Sequence, residues 1–297
     1  MSRLSMFLTA GLVLAAAPVA AAPITFNTAL PVTQGEWILR TQIMEFRFES
    51  DSTGLDRDLS VEAVPLVGVY GLTPKLTLFA ISPLLDKELV VNTPVGRRSR
   101  GDSGLGDVTL MARYTAWQRD AHGRTSRLAP FVGVEAPTGR DDAGDALGPL
   151  PPTLQLGSGS WDPLAGVVFT HQTLRAEVDA SLRYQLNTEG NDFETGDQAR
   201  LDLSYQHRVL PRELGDGVPA FLFAVLESNL IWQDRDEMGG VEVADSGGTT
   251  WFLAPGLQYV QKRWVLEAVV QLPAVQDLHG EALEIEWIGT LSLRVNL

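Results

Sequence analysis

Residues 173–186 alternate without a break. Leu174, Ala176, Val178, Ala180, Leu182, Tyr184 and Leu186 share one parity; Arg175, Glu177, Asp179, Ser181, Arg183 and Gln185 share the other. A strand sends successive side chains to opposite faces, so a period of two held this long predicts a β-strand with one apolar and one charged face. It excludes an amphipathic helix. The pattern recurs at 107–117, where Val108, Leu110, Ala112, Tyr114 and Ala116 oppose Asp107, Thr109, Arg113 and Thr115. It recurs again at 199–206, 264–272 and 283–297. Weaker segments at about 36–48, 59–70, 75–85, 127–137, 161–170, 219–232 and 249–260 bring the expected total to about twelve strands, an even number as in bacterial single-chain barrels. Pro65, Pro83, Pro130, Pro163 and Pro255 sit uncomfortably in this scheme, because each removes a ladder donor.

A soluble sandwich also alternates, but its strands average about five or six residues. Several runs here reach about ten, the length that crosses a bilayer at a tilt. The connections alternate too. Short turns are expected at 71–74, 171–172 and 261–262, and longer ones at about 86–104, 138–160, 187–197, 233–248 and 274–281. Short turns on one side and long loops on the other are the asymmetry of outer-membrane barrels. The connections near 118–126 and 209–218 are longer than this scheme prefers. The predicted fold is all-β: a transmembrane antiparallel up-and-down β-barrel over residues 36–297.

The front of the chain fits that destination. A basic start at Arg3, an apolar stretch over 7–22 and an alanine-rich exit read as a secretory signal peptide over residues 1–21, cut after Ala21. Residues 22–35 then form an N-terminal periplasmic segment. The chain has no cysteine, which excludes a lipoprotein anchor, disulfides and thiolate metal sites. A net charge of −14 argues against nucleic acid as a partner. A hydrophobic fraction of 44% is low for a helical membrane protein and suits a barrel, where only alternate residues need be apolar. The expected partners are outer-membrane lipid and lipopolysaccharide, the barrel assembly machinery, which reads the alternating C-terminal strand ending in Leu297, and a small-molecule solute. Trp117, Tyr184, Tyr205, Trp232, Trp251, Tyr259 and Trp264 fall near strand ends, where interfacial girdles form.

Several short motifs, in order, resemble one family. They are Gly35-Glu36-Trp37, Tyr70-Gly71-Leu72-Thr73-Pro74-Lys75-Leu76, Gly104-Leu105-Gly106-Asp107, Val134-Glu135-Ala136-Pro137-Thr138-Gly139, Gly157-Ser158-Gly159-Ser160-Trp161-Asp162 and Pro255-Gly256-Leu257-Gln258-Tyr259. Together they resemble the outer-membrane β-barrels assigned to the meta-pathway of phenol degradation and often labelled transporters. The resemblance implies a barrel that moves small solutes, aromatic or otherwise hydrophobic ones among them.

Inward parity assigns Arg113, Glu135, Asp162, Arg175, Glu177, Asp179, Arg183, Arg200, Asp202, Glu227, Glu267, Glu284, Glu286 and Arg294 to the lumen. Mixed signs on neighbouring strands, such as Arg183 and Asp202, predict ion pairs across the interior. These groups either line a wet pathway or brace a narrow, filled barrel, with residues 86–104 as the expected constriction. Gly104, Gly106, Gly157 and Gly159 sit where long loops re-enter the wall, and Asp107 and Asp162 are expected to fix loop backbone there, the alternative being a direct role in solute capture. The acid-rich stretches 49–58, 189–197 and 234–245 lack calcium-loop spacing and read as solvated surface.

A passive channel is the expected function, with no cofactor and no catalysis. The alternative is a non-transporting structural or adhesive barrel acting through its loops. An esterase would need a serine, a histidine base and an orienting group. His122, His171, His207 and His279 are all expected in or beside connections, outside any hydrolase motif, and Ser158 and Ser160 read as turn residues.

Overall fold

The computed structural model describes residues 21–48, 57–93, 96–213 and 220–297. The leader and most of the acid-rich 49–58 stretch lie outside these residues.

The strands are β1 (Trp37–Phe48), β2 (Asp58–Gly71), β3 (Leu76–Thr93), β4 (Gly96–Leu105), β5 (Val108–Tyr114), β6 (Trp117–Ala121) and β7 (Arg124–Ala136), followed by β8 (Asp162–Thr173), β9 (Ala176–Gln185), β10 (Gln198–Leu210), β11 (Phe221–Gln233), β12 (Gly248–Val260), β13 (Trp264–Leu278) and β14 (Ile285–Asn296). β4, β5 and β6 follow one another along a single stave, broken at Gly106-Asp107 and again at Thr115-Ala116. The wall is therefore a closed antiparallel barrel of twelve staves. Each stave pairs with its sequence neighbours, and β14 closes on β1 from Asn296↔Ile38 to Ile285↔Phe48. Closure matters because lipid offers backbone groups no partner, so a spanning sheet can have no edge.

Burial is inverted relative to a soluble protein. Along β9, Glu177, Asp179 and Ser181 are buried while Val178, Leu182 and Tyr184 are exposed. Ile43, Leu110, Val132, Leu203, Leu226, Leu257 and Leu291 continue the exposed apolar belt around the barrel. A soluble monomer does not carry such a surface, whereas lipid covers it. Trp37 stacks near Tyr70 (4.7 Å) and Tyr259 near Trp264 (5.6 Å), both at the end bearing the short turns. Trp251 stands at the loop end of β12, eight residues from Tyr259, which spaces the two girdles by roughly 20–25 Å at a typical strand rise and tilt.

Several expected connections are corrected. The turn predicted at 171–172 falls at Leu174-Arg175, because β8 runs on to Thr173. Residues 118–126 form no long connection; β6 and β7 pair down to Ala121↔Arg124, leaving only His122-Gly123 to turn. Residues 86–104 are no inward loop either. β3 and β4 pair from Leu84↔Leu105 to Thr93↔Gly96 and continue the wall as a two-stranded ribbon. The uncomfortable prolines do lie in strands. β1–β2 pairing is interrupted between Thr41↔Leu66 and Met44↔Ala63, opposite Pro65, and Pro65 faces Pro83.

A barrel closed this way resists detergent until heated. Unheated and boiled samples are expected to run at different positions on a detergent gel; identical migration would contradict the closed barrel.

Candidate functional site

The lumen has two levels. Its loop-end half is a vestibule of about 1100 Å³. One side is apolar, built from inward residues of β1 to β3: Phe46, Phe48, Leu59, Val61, Ile81, Pro83 and Leu85. The same lining carries Asp107 and Glu135, the loop residues Asp141, Asp142, Asp236 and Asp245, and the cations Arg57 and Lys87. The 137–161 loop roofs it, and Ala143, Leu150 and Leu154 pack on Leu59 and Leu89. The inward loop expected at residues 86–104 has no counterpart there; the loop over the vestibule is 137–161.

Two aspartates hold that roof. Asp107 accepts from the backbone N–H of Thr138 (2.8 Å), Gly139 (2.8 Å) and Ser158 (2.7 Å), so one carboxylate ties both ends of the loop to the barrel wall. Asp162 accepts from Ser160 Oγ (2.9 Å) and Thr188 N (2.8 Å), linking this loop to the next. The expectation that both fix loop backbone describes their contacts. The surrounding glycines permit the approach. Gly159 has φ +74°, and a Cβ on Gly157 would stand 2.6 Å from the Gly139 carbonyl oxygen. Gly104 and Gly106 flank the corner where β4 gives way to β5.

The turn-end half is occupied by the chain itself. Residues 21–32 lie inside the barrel, with Ala22, Ile24, Ala29 and Val32 buried. An extended segment makes no internal ladder, so its amides need partners from the wall. Glu227 accepts from Ile24 N (2.6 Å) and Thr25 N (3.0 Å). Thr170 Oγ1 accepts from Ala29 N (2.7 Å). Arg40 donates to Ile24 O (2.7 Å), Arg113 to Thr28 O and to Leu30 O (2.6 Å), and Gln258 to Ala22 O (2.5 Å). A cavity of about 310 Å³ remains around the segment.

The lumen charges are largely committed to this packing and to one another. Arg40 pairs with Glu267 (2.7 Å), which Arg294 approaches at 4.0 Å. Asp202 is paired, but with Arg200 on its own strand (2.7 Å) and Asn229 (2.7 Å). Arg183 stands opposite Arg200 in register and donates to Gln198 (2.6 Å), which corrects the predicted Arg183–Asp202 pair. Glu177 and Asp179 are buried among Gln172, Thr170 and Gln206. Arg175 sits exposed in the β8–β9 turn, and Glu284 and Glu286 are exposed at the loop end; none of the three lines the enclosed lumen. Parity placed them inward because it ignores where a strand stops. Sequence reading missed Arg40, Asn229 and Gln258, all inward-facing, whereas alternation had put Gln206 on the polar face with Arg200 and Asp202. For Arg40 and Gln258 the same parity rule, applied to β1 and β12, would have found them.

The mouth is acidic. Fourteen Asp and Glu residues against two arginines occupy the loops at 137–161, 186–197, 234–247 and 279–284. Two of these loops are tied together by a small sheet in which Phe193–Glu194 pairs with Glu237–Met238, and Glu237–Met238 with Val241–Glu242. Partial desolvation, then Glu237 opposite, raises the Glu194 carboxyl above the usual range. Arg100 bonds Asp145 at 2.8 and 3.0 Å and holds that carboxyl low. Of the histidines, His171 and His207 lie in β8 and β10 rather than in connections. His171 Nδ1 is 2.7 Å from Ser126 Oγ, but no acidic group among the described residues bonds that ring, so the pair lacks an orienting third member.

The sequence profile of a family described as "Putative MetA-pathway of phenol degradation" matches residues 49–272. No curated protein matches the chain. Among solved structures, an outer membrane channel from Pseudomonas putida F1 superposes with a TM-score of 0.68 at 16% identity, covering 94% of this chain and 100% of that one. The β domain of a Bordetella autotransporter gives 0.45 at 14% identity, covering 89% and 100%. A monoaromatic hydrocarbon channel gives 0.40 at 11% identity, covering 90% and 89%.

Proposed function

This chain belongs to the family described as the putative MetA-pathway of phenol degradation, and from that footing we propose that it is a passive outer-membrane channel for small solutes with an apolar body. The observation that carries the reading is the vestibule: a half-apolar, half-acidic chamber of about 1100 Å³, ample for a single aromatic ring. Apolar side chains of β1 to β3 supply a surface for a ring, while the charged groups of the same chamber keep a hydrated path. In this reading the leader is removed after Ala21, which leaves the new amino terminus at Ala22 inside the barrel, its nitrogen 3.4 Å from Gln258 Oε1. The assembly machinery inserts the barrel, and outer-membrane lipid and lipopolysaccharide cover its belt.

Liposome swelling and single-channel recording test it. Measurable conductance together with flux of small aromatic solutes is expected; neither, in folded protein, would sink it. The filled turn-end half favours a second reading, a barrel that acts through its loops and transports nothing. That reading survives only if flux stays absent after residues 24–32 are removed.

The acidic mouth adds a prediction about ions. A focused negative potential concentrates cations at the entrance, so a several-fold preference for potassium over chloride is expected from the reversal potential in a salt gradient. The preference should fall as pH drops through the carboxylate range, and Glu194, whose carboxyl is raised, contributes to that loss. Asp236→Asn with Asp245→Asn should weaken it at constant pH. Anion preference in the parent protein would contradict the prediction.

A further inference from the structure

The end that carries the tight turns is opposite in charge to the acidic mouth. Its turns at 72–75, 122–123, 174–175 and 261–263 hold Lys75, Arg175, Lys262 and Arg263, and none of the four holds an acid. In an outer-membrane barrel this end faces the periplasm. At the β6–β7–β8 corner the register orders that charge into rows. Trp117 stands opposite Leu128, and Leu128 opposite Phe169. One repeat nearer the turns, Arg119 stands opposite Ser126, and Ser126 opposite His171. One repeat further, Ala121 stands opposite Arg124, and Arg124 opposite Thr173. These rows face outward, since Ala129, Val168 and Thr170, of the other parity, are buried. Successive rows are roughly 6.5–7 Å apart along a strand. An apolar row at the depth of the aromatic girdle is thus followed by cationic rows at the depth of lipid phosphates.

The cations of this corner have no counter-charge of their own. Arg119, Arg124 and Arg175 are exposed, and among the described residues none of the three side chains has an ion pair or hydrogen bond. The one acid on these strands from Trp117 to the turns, Asp120, points to the opposite face, where Thr125 Oγ1 donates to it at 2.5 Å and Gln118 holds its other oxygen. Ser126 is next to both Arg119 and Arg124, and its hydroxyl lies 2.7 Å from His171 Nδ1. The turn that carries Arg175 packs close by: a Cβ on Gly123 would be 3.6 Å from Leu174 Cδ1.

We propose that this corner binds the headgroup phosphate of an anionic phospholipid of the periplasmic leaflet, held by Arg119 and Arg124 with Ser126 and His171 beside them, its acyl chains lying along Trp117, Leu128 and Phe169. The inference needs only the barrel and stands apart from the channel reading. Charge and depth choose the ligand. A guanidinium offers phosphate paired N–H donors, and two without a carboxylate leave a surplus of positive charge. Phosphatidylglycerol brings the net negative charge that answers it, whereas phosphatidylethanolamine brings its own ammonium. Lipopolysaccharide lies in the other leaflet, at the loop end. Free phosphate lacks the chains that the apolar row covers.

Native mass spectrometry of the folded protein, offered equal amounts of phosphatidylglycerol and phosphatidylethanolamine, tests it. The parent is expected to retain phosphatidylglycerol about tenfold more than phosphatidylethanolamine, and Arg119→Gln with Arg124→Gln to abolish that excess. Lys262→Gln with Arg263→Gln, which removes two cations from another turn of the same end, should leave it within about twofold. Equal loss in both double variants would mean diffuse attraction and overturn the assignment, as would equal retention of the two lipids or an excess unchanged by loss of the arginines. A parent that retains no phospholipid but sediments with peptidoglycan through these arginines would overturn it in favour of the cell wall. Should the glutamine variant fail to fold, Arg119→Lys with Arg124→Lys keeps the charge but not the paired donors, and is expected to lower the excess several-fold; an excess equal to the parent's counts against the proposal.

Discussion

Glu227→Ala is expected to raise single-channel conductance by an order of magnitude or more. In the parent chain this buried carboxylate accepts from the amides of Ile24 and Thr25 and from Thr25 Oγ1, and so fastens the start of the lumen segment to β11. Hydrogen bonds to a charged group contribute about 1.5–3 kcal/mol each, and removing the acceptor leaves two backbone donors without it. A loss of only about 3 kcal/mol shifts the balance between docked and released segment roughly a hundredfold. Released, residues 22–32 no longer fill the turn-end half, and ions pass. Glu227→Gln retains one carbonyl oxygen as acceptor and should fall between parent and alanine variant. Removing residues 24–32 should give the largest conductance of all. If both the alanine variant and the deletion conduct like the parent, the segment is not what closes the lumen.

Asp107→Ala should act at the other end. Three backbone N–H groups from two ends of the 137–161 loop converge on this one carboxylate, itself 7% exposed at the corner between β4 and β5. Among the described residues no other side chain accepts from the amides of Gly139 and Ser158, so losing the acceptor should cost the docked loop at least about 3 kcal/mol. The roof of the vestibule then lifts while the barrel remains. Limited proteolysis should cut within 137–161 at least tenfold faster, and channel recordings should become noisier without losing cation preference. Asp107→Asn, which keeps one acceptor oxygen, should be milder. A loop as resistant as the parent's would mean that Leu150 and Leu154 hold the roof without the aspartate. A barrel that fails the heat-migration test would mean the residue serves folding of the wall instead.

These two residues mark how far sequence reading reached. Asp107 was assigned to loop fixation from its place after Gly104-Leu105-Gly106, and its contacts are of that kind. Its partners lie 31, 32 and 51 residues away, so no local pattern could name them. Glu227 was placed inward by parity, correctly, but its partner was out of reach. Residues 22–35 carry no alternation and read as an N-terminal periplasmic segment, whereas residues 22–32 lie within the barrel. The Arg183–Asp202 pair failed for a related reason: parity puts both side chains in the lumen, but the register sets Arg183 against Arg200 and Ser181 against Asp202. Arg175, Glu284 and Glu286 failed because alternation does not mark where a strand leaves the wall.

By itself the sequence determined the kind of wall: antiparallel staves, apolar outward and polar inward, joined by short turns at one end and acidic loops at the other. That much follows from a two-residue period and from turn chemistry, both local properties of the chain. The tertiary structure alone decided what fills the barrel and which loop roofs it. Those outcomes depend on the register between staves and on closure of β14 against β1, which bring Ile24 to Glu227 and Gly256 across more than two hundred residues of chain. A buried, extended segment takes its partners from wherever the closed wall presents them, and no local period records that.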